Sequence, residues 1–526
     1  MSFATLPSEL IIQICGHLEL IDWCALRLTC KTLFLRTWER FADSSFQTIC
    51  VLITSEGLSR LAALAADENL RPRVKELWIV PTLFEGSLDK EYSPPGPIPM
   101  ALNNSFFSRG VYAEGLWTDT EIFNRFTAYQ AMVADHCQVL DTGAFTSALR
   151  KSLACFNNLG GVGLRSCPTW VLLDSSRPMK FPCLGVRHLR DQLPCHRTVR
   201  SSGYSERAKA TMGDKHARVF LEVIDAVVTA QQKLQRLETC DRHHCGVAAQ
   251  DLITLTTKPQ YQQFLQLLQT LENLHLCLCS TGKVPARDEH GDRLRGILEM
   301  VVTAAPGLRT LTFSLSCTPE KHLKPQLFSQ LAQRVYFTRL VEVELRDLDT
   351  TRDDLRAFLR SATTTLQRLS LSSISLAESI QTASPWNPRA SRADRKQWQV
   401  NYRAEIVHRW QTVWANLYDD LPSLRYLYMG NLLFRGHPID VSDPLWMRSG
   451  RSRQTCHARA VAFDADHAQI PLGEWIRQLK ANASEMVMND FLPEWRWVGR
   501  SSTPHFVSGP FRQRPSAAGR NEQQSD

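Results

Sequence analysis

The sequence predicts an α/β protein in two parts, a small N-terminal unit of three helices and then an irregular solenoid of short parallel strands and helices. Three observations predict it. A segment of apolar, two variable, apolar, one variable, apolar residues recurs from residue 74 to residue 429. Segments with helical apolar spacing follow several of its copies. Residues 3–41 differ from everything that follows and read as three short helices with apolar faces.

The helical unit comes first, as "FATLPSELIIQICGHLELIDWCALRLTCKTLFLRTWERF". Pro7 suits the first turn of a helix, where its missing N–H costs nothing. Leu10, Ile11, Ile14 and Leu18 follow on one face. Asp22 is placed to cap a second helix carrying Leu26 and Leu28. A third helix follows Cys30-Lys31 with Leu33, Phe34, Trp38 and Phe41. Some forty residues make a small free-standing core, so docking on a partner or on the next domain is expected.

The repeated motif reads "VKELWI" (74–79), "LGGVGL" (159–164), "LQRLET" (234–239), "LENLHL" (271–276), "LRTLTF" (308–313), "LVEVEL" (340–345), "LQRLSL" (366–371) and "LRYLYM" (424–429). From Leu234 onward the starts are 37, 37, 32, 26 and 58 residues apart. These steps are long and irregular beside the roughly 20–29 residues of a regular leucine-rich repeat, as inserted loops would make them. The last two apolar positions are two apart, the period of a strand. Parallel stacking then joins the short apolar faces into one core.

The glycines of "LGGVGL" raise the question of a phosphate loop. Leu159, Val162 and Leu164 fill the apolar positions of the motif, and Gly160, Gly161 and Gly163 fill variable ones. Leu164-Arg165-Ser166 stands where a Walker loop needs Gly-Lys-Ser/Thr, and Ser166 stands where a dinucleotide fingerprint needs glycine. The segment is therefore read as a strand whose glycines relieve crowding or carry a bulge.

Helices are expected after the strands. In "TRDDLRAFLRSATTTL", Leu355, Phe358 and Leu359 share a face, with Thr350 or Thr351 as N-cap. Residues 291–308 repeat the pattern with Leu294, Ile297, Leu298 and Val301 before Pro306-Gly307. Residues 386–421 mix arginines with Trp398, Tyr402, Ile406, Trp410 and Trp414 at four-residue steps. That stripe reads as a helix packed on the repeats with its arginines outward, in preference to a nucleic-acid site.

Composition bounds the rest. The 526 residues are 43% hydrophobic and 22% charged, with a net charge of +8 that permits an acidic partner without demanding nucleic acid. Glu9, Gln13, His17, Glu19, Asp22 and Arg27 interrupt the first thirty residues, so neither a signal peptide nor a membrane span is expected. Fifteen cysteines then read as reduced thiols of the cytosol or nucleus. "CDRHHCG" gathers Cys240, His243, His244 and Cys245, with Cys277 and Cys279 on the next strand. Their spacing fits no familiar zinc finger, and the expectation is no metal and no cofactor. Residues 86–104 and 185–218 read as loop insertions, and 499–526 as a disordered tail.

The "LPSELIIQICGHL" and "IDWCALRLTCKTL" stretches and the tryptophan after them resemble the F-box, over residues 1–45 when the first residues are included. The family often has a proline near the position of Ile21-Asp22-Trp23. The repeats over 46–498 resemble, more loosely, the leucine-rich-repeat-like region of many fungal F-box proteins. The resemblance implies a non-catalytic substrate receptor of an SCF-type ubiquitin ligase. Its F-box would dock on a Skp-family adaptor, and through it on a cullin–RING ligase, while the repeats bind a protein substrate. The residues it implies at the adaptor are Leu6, Pro7, Leu10, Ile11, Ile14, Leu26, Leu28, Cys30, Leu33 and Trp38. The alternative is an interaction scaffold that keeps the F-box fold without a ligase role.

Overall fold

The computed structural model describes residues 6–18, 20–81, 119–165, 182–192, 206–239, 246–249, 252, 259–279, 290–316, 323–376, 391–434, 437–438, 460–468 and 470–483. These residues fall in one unit of the chain, Met1–Val487; a second, Met488–Asp526, lies outside them. The expected insertion at 86–104, the tail at 499–526 and the Cys240–Cys245 part of the polar cluster also lie outside the described residues.

Three helices open the chain, α1 (Ser8–Cys15), α2 (Leu20–Thr29) and α3 (Lys31–Phe46). The strands follow as β1 (Thr48–Leu52), β2 (Glu76–Val80), β3 (Gly161–Leu164), β4 (Cys183–Leu184), β5 (Arg236–Glu238), β6 (Val247–Ala248), β7 (Asn273–Cys279) and β8 (Thr310–Ser316). Then come β9 (Glu342–Arg346), β10 (Asp349–Thr350), β11 (Arg368–Ser372), β12 (Ser375–Leu376), β13 (Tyr426–Gly430), β14 (Leu433–Phe434), β15 (His437–Pro438) and β16 (Ala460–Asp464).

All eight motif segments form strands, and they stand side by side. The main sheet runs β16-β13-β11-β9-β8-β7-β5-β3-β2-β1-β4, with β6 paired to β7. Every pairing in it is parallel except β13 with β16. The register aligns the apolar positions into rungs. Leu274, Leu311, Val343, Leu369 and Leu427 lie in one row, and Leu276, Phe313, Leu345, Leu371 and Met429 in the next. All ten are buried. Because right-handed crossovers join strands laid down in sequence order, the connecting helices fall on one side and cover these rungs.

The helices follow expectation where their side chains are described. Thr351 caps the helix Arg352–Arg360 by accepting from the Asp354 N–H, and Leu355, Phe358 and Leu359 are buried. The helix Arg392–Asp420 starts at a Ser391–Asp394 capping box and buries Trp410 and Trp414. Trp398, Tyr402 and Ile406 share this helix, but their side chains lie outside the described residues. Arg356 and Arg360 both bind Asp420, which ties these two helices together and holds the Asp420 carboxyl below its ordinary pKa, chiefly through Arg356.

Several features differ from expectation. The stretch 185–218 carries the helix Val186–Gln192 and the start of the helix Glu206–Thr229. Its polar residues conceal an apolar stripe that emerges further on, where Phe220, Val223 and Val227 are buried. Cys277 and Cys279 are buried, yet strand alternation puts them on the face opposite Leu274, Leu276 and Leu278. Strand β1 is a further copy of the motif, Phe46-Gln47-Thr48-Ile49-Cys50-Val51, with Ile49 opposite Leu77 and Val51 opposite Ile79, and Ile49–Leu52 are buried.

A corner also repeats after the last motif strands. Asp347, Ser373 and Asn431 follow β9, β11 and β13 directly, with φ of 51°, 55° and 48°. Short polar side chains tolerate this left-handed conformation best after glycine. The Asp347 N–H donates to Ser372 O at 2.9 Å and the Ser373 N–H to Gly430 O at 2.8 Å, so the first two corners are each hydrogen-bonded to the next repeat. The two-residue strands β10, β12 and β14 lie just beyond and join β15 in a second small sheet.

One glycine of β3, Gly163, has a steric cause. A Cβ on Gly163 would lie 2.2 Å from Glu238 O, inside the neighbouring strand, whereas one on Gly160 would meet nothing closer than 3.5 Å. Crowding thus explains Gly163.

Candidate functional site

The N-terminal helices have a small core and an apolar surface. Ile11, Cys15, Trp23, Leu33 and Phe41 form the core, with Leu6, Leu18, Cys24, Leu26 and Phe46 packed against it. The Trp23 and Phe41 rings meet edge to face, 5.7 Å between centroids. On α1 the buried residues are Ile11 and Cys15, one helical turn apart. Leu10 and Ile14 form the adjacent edge of the stripe and stay exposed. The expected single face of Leu10, Ile11, Ile14 and Leu18 is therefore divided.

Pro7 is the N-cap of α1 and does not enter the first turn; its carbonyl accepts from the Ile11 N–H at 3.2 Å. Asp22 lies inside the first turn of α2, where a carboxylate favours the helix dipole, and is not its cap. Cys30 caps α3, its Sγ accepting from the Leu33 N–H at 3.5 Å.

The ten residues implied at the adaptor thus divide. Pro7, Leu10, Ile14, Leu28 and Cys30 are exposed; Leu6, Leu26 and Trp38 are half-buried. Ile11 and Leu33 are enclosed in the helices' own core, because three short helices must spend some apolar side chains on each other. Two residues outside that set, Phe34 and Leu35, are exposed beside them. Leu28 is 86% exposed, Leu35 60% and Leu10 46%. Leu10, Ile14, Leu28, Phe34 and Leu35 are five of the seven large apolar side chains exposed among the described residues. Among the described residues the other two are Tyr336 and Tyr418, so the exposed large aliphatic side chains gather on these forty residues, as on a contact surface.

The unit is coupled firmly to the sheet. One residue, Gln47, separates α3 from β1, and its carbonyl accepts from the N–H groups of Lys75 and Glu76 at the start of β2. Arg73 binds Asp43 and, at 3.6 Å, Glu39 of α3.

Residues 3–46 match the family described as F-box-like. They form an F-box-like domain, and α1, α2 and α3 are its three helices. No curated protein matches the chain.

A second surface is the sheet face opposite the apolar rungs. Trp78 is buried there beneath the guanidinium groups of Arg165 and Arg236, at 4.5 and 5.1 Å from its centroid. Glu76 binds Thr48, Trp78 Nε1 and Arg236 at 3.2 Å each. Further along, Arg368 lies 4.4 Å over the Tyr426 ring. Among the described residues no group of three or more His, Cys, Asp or Glu could hold a metal ion, and no helix is long and apolar enough to cross a membrane.

Proposed function

We propose that this protein is a substrate-recognition subunit of an SCF-type ubiquitin ligase, acting in the cytosol or nucleus. The F-box-like domain docks on a Skp-family adaptor, and the adaptor joins it to a cullin–RING ligase. The leucine-rich-repeat-like region binds the target protein, using its charged and aromatic strand face. The chain contributes proximity and orientation; other subunits carry out ubiquitin transfer. The observation that carries this reading is the exposed apolar surface of Leu10, Ile14, Leu28, Phe34 and Leu35 on the F-box-like domain.

The test is a pull-down of a purified Skp-family adaptor by the full chain, wild type against the double variant Leu28→Asp with Leu35→Asp. Both leucines are exposed, so the variant should fold, and a charge at each should abolish adaptor binding. Undiminished binding would overturn the interface. Binding that is lost while every captured protein keeps its normal turnover in cells would favour a scaffold without a ligase role.

A further inference from the structure

Arg27 sits near the end of α2 inside a cage of rings from α3. Its guanidinium carbon is 3.8 Å from the centroid of Phe41, 4.5 Å from Phe34 and 5.0 Å from Trp38. The residue is only 7% exposed. Its Nε is buried without an acceptor, and it makes no hydrogen bond or ion pair with any described residue. Nε alone of its nitrogens is both sealed and unpartnered, so the two Nη atoms still meet solvent.

Aromatic faces attract a cation but accept few of its five N–H groups. A guanidinium cannot discharge by losing its proton, so a caged one keeps a charge that burial makes costly. Burial here lowers its pKa without bringing a counter-ion. The cage adjoins the apolar surface, since its wall Phe34 is exposed and stacked on Trp38 at 5.7 Å. Among positions 27, 28, 31, 34, 35 and 38, the charged residues are Arg27 and Lys31, both positive. The carboxylates further along α3, Glu39 and Asp43, are already bound by Arg73.

We propose that Arg27 is a specificity-determining residue of the adaptor interface, whose Nη edge receives a carboxylate side chain of the Skp-family adaptor. The inference rests on the adaptor reading above and adds the partner's chemistry: an apolar surface that carries an acidic residue. Fork-shaped donors match a carboxylate in two parallel hydrogen bonds. Closure of the surrounding leucines excludes water from that pair, so a partner without the carboxylate leaves the guanidinium buried and unpaired.

Full-length wild type and Arg27→Met are titrated with a purified Skp-family adaptor by calorimetry, at low and at high salt. Methionine keeps the contact with the rings and removes the charge. The wild type should bind more weakly at high salt. Arg27→Met, with its circular dichroism unchanged, should bind at least about tenfold more weakly at low salt and lose part of that salt response. Equal affinity and salt response in the two proteins would overturn the carboxylate pairing and leave the adaptor reading standing. A wild type that fails to bind the adaptor would overturn both. If Arg27→Met does not fold, Arg27→Lys decides the matter, since it keeps the charge and loses the fork. An unchanged Kd in Arg27→Lys would overturn the proposal, and a weakened one would support it.

Discussion

Leu345 of β9 lies directly opposite Leu371 of β11, and both are fully buried. Phe313 and Met429 flank them in the same rung, so each leucine is shared between neighbouring repeats. Leu345→Ala or Leu371→Ala should therefore cost about 2–5 kcal/mol, the range for a buried leucine whose site cannot collapse. Urea melts would measure it. A loss under about 1 kcal/mol at both positions, as at exposed sites, would contradict the shared core.

Gly163 and Gly160 make a matched pair. A Cβ at Gly163 would strike the Glu238 backbone, and one at Gly160 would have room. Gly163→Ala should destabilise by about 1–3 kcal/mol, as overpacking does. Gly160→Ala should stay within about 0.5 kcal/mol of wild type. Equal melts for the two variants would remove the steric account of this glycine.

His136 is fully buried, its Nδ1 donates to Ile53 O at 2.8 Å, and its Nε2 has no partner. Burial, helped by Lys215 and opposed by the Ile53 bond, Asp135 and Asp141, lowers its pKa from 6.5 to about 4. The unfolded chain thus binds a proton near pH 6.5 that the folded chain refuses until about pH 4. Stability from this group is full above 6.5 and is lost as the pH falls towards 4. Between pH 7.5 and 5 the loss should be about 2 kcal/mol. His136→Gln should flatten that part of the pH–stability curve; a slope equal to wild type would exclude His136 as its source.

The motif strands were legible because both their apolar positions face one core at period two, a signal that leucines carry alone. The three helices were legible for a similar reason, since Ile11, Leu33 and Phe41 are core residues of helical segments. The boundary between core and surface was not. Leu10 is one step round the helix from Ile11, and a wide apolar stripe does not say which edge its neighbours cover. Packing of α3 decides it, by enclosing Ile11 and Cys15 and leaving Leu10 and Ile14 outside. The caged arginine was hidden likewise: Arg27 stands between leucines, and its three rings become one wall only when Phe34, Trp38 and Phe41 meet on one face of α3. The corners at Asp347, Ser373 and Asn431 did leave a signal, a short polar residue two places after the last motif position.

That division between core and surface yields a prediction for the F-box-like domain. Ile11 and Leu33 are enclosed, so Ile11→Ala and Leu33→Ala should each cost about 2–5 kcal/mol, as cavities do. Their loss should appear as an early transition in melts followed by the fluorescence of Trp23, which shares their core. Leu10 and Leu28 are exposed, so Leu10→Ala and Leu28→Ala should move that transition by no more than about 0.5 kcal/mol. The same two variants should each weaken adaptor binding, by roughly thirtyfold where the leucine is a central anchor. The two pairs thus exchange their effects, one acting on folding and the other on binding. Leu10→Ala and Leu28→Ala that both bind the adaptor as wild type does would show that this exposed surface is not the docking face. Ile11→Ala that melts as wild type does would show that the core is not closed around it.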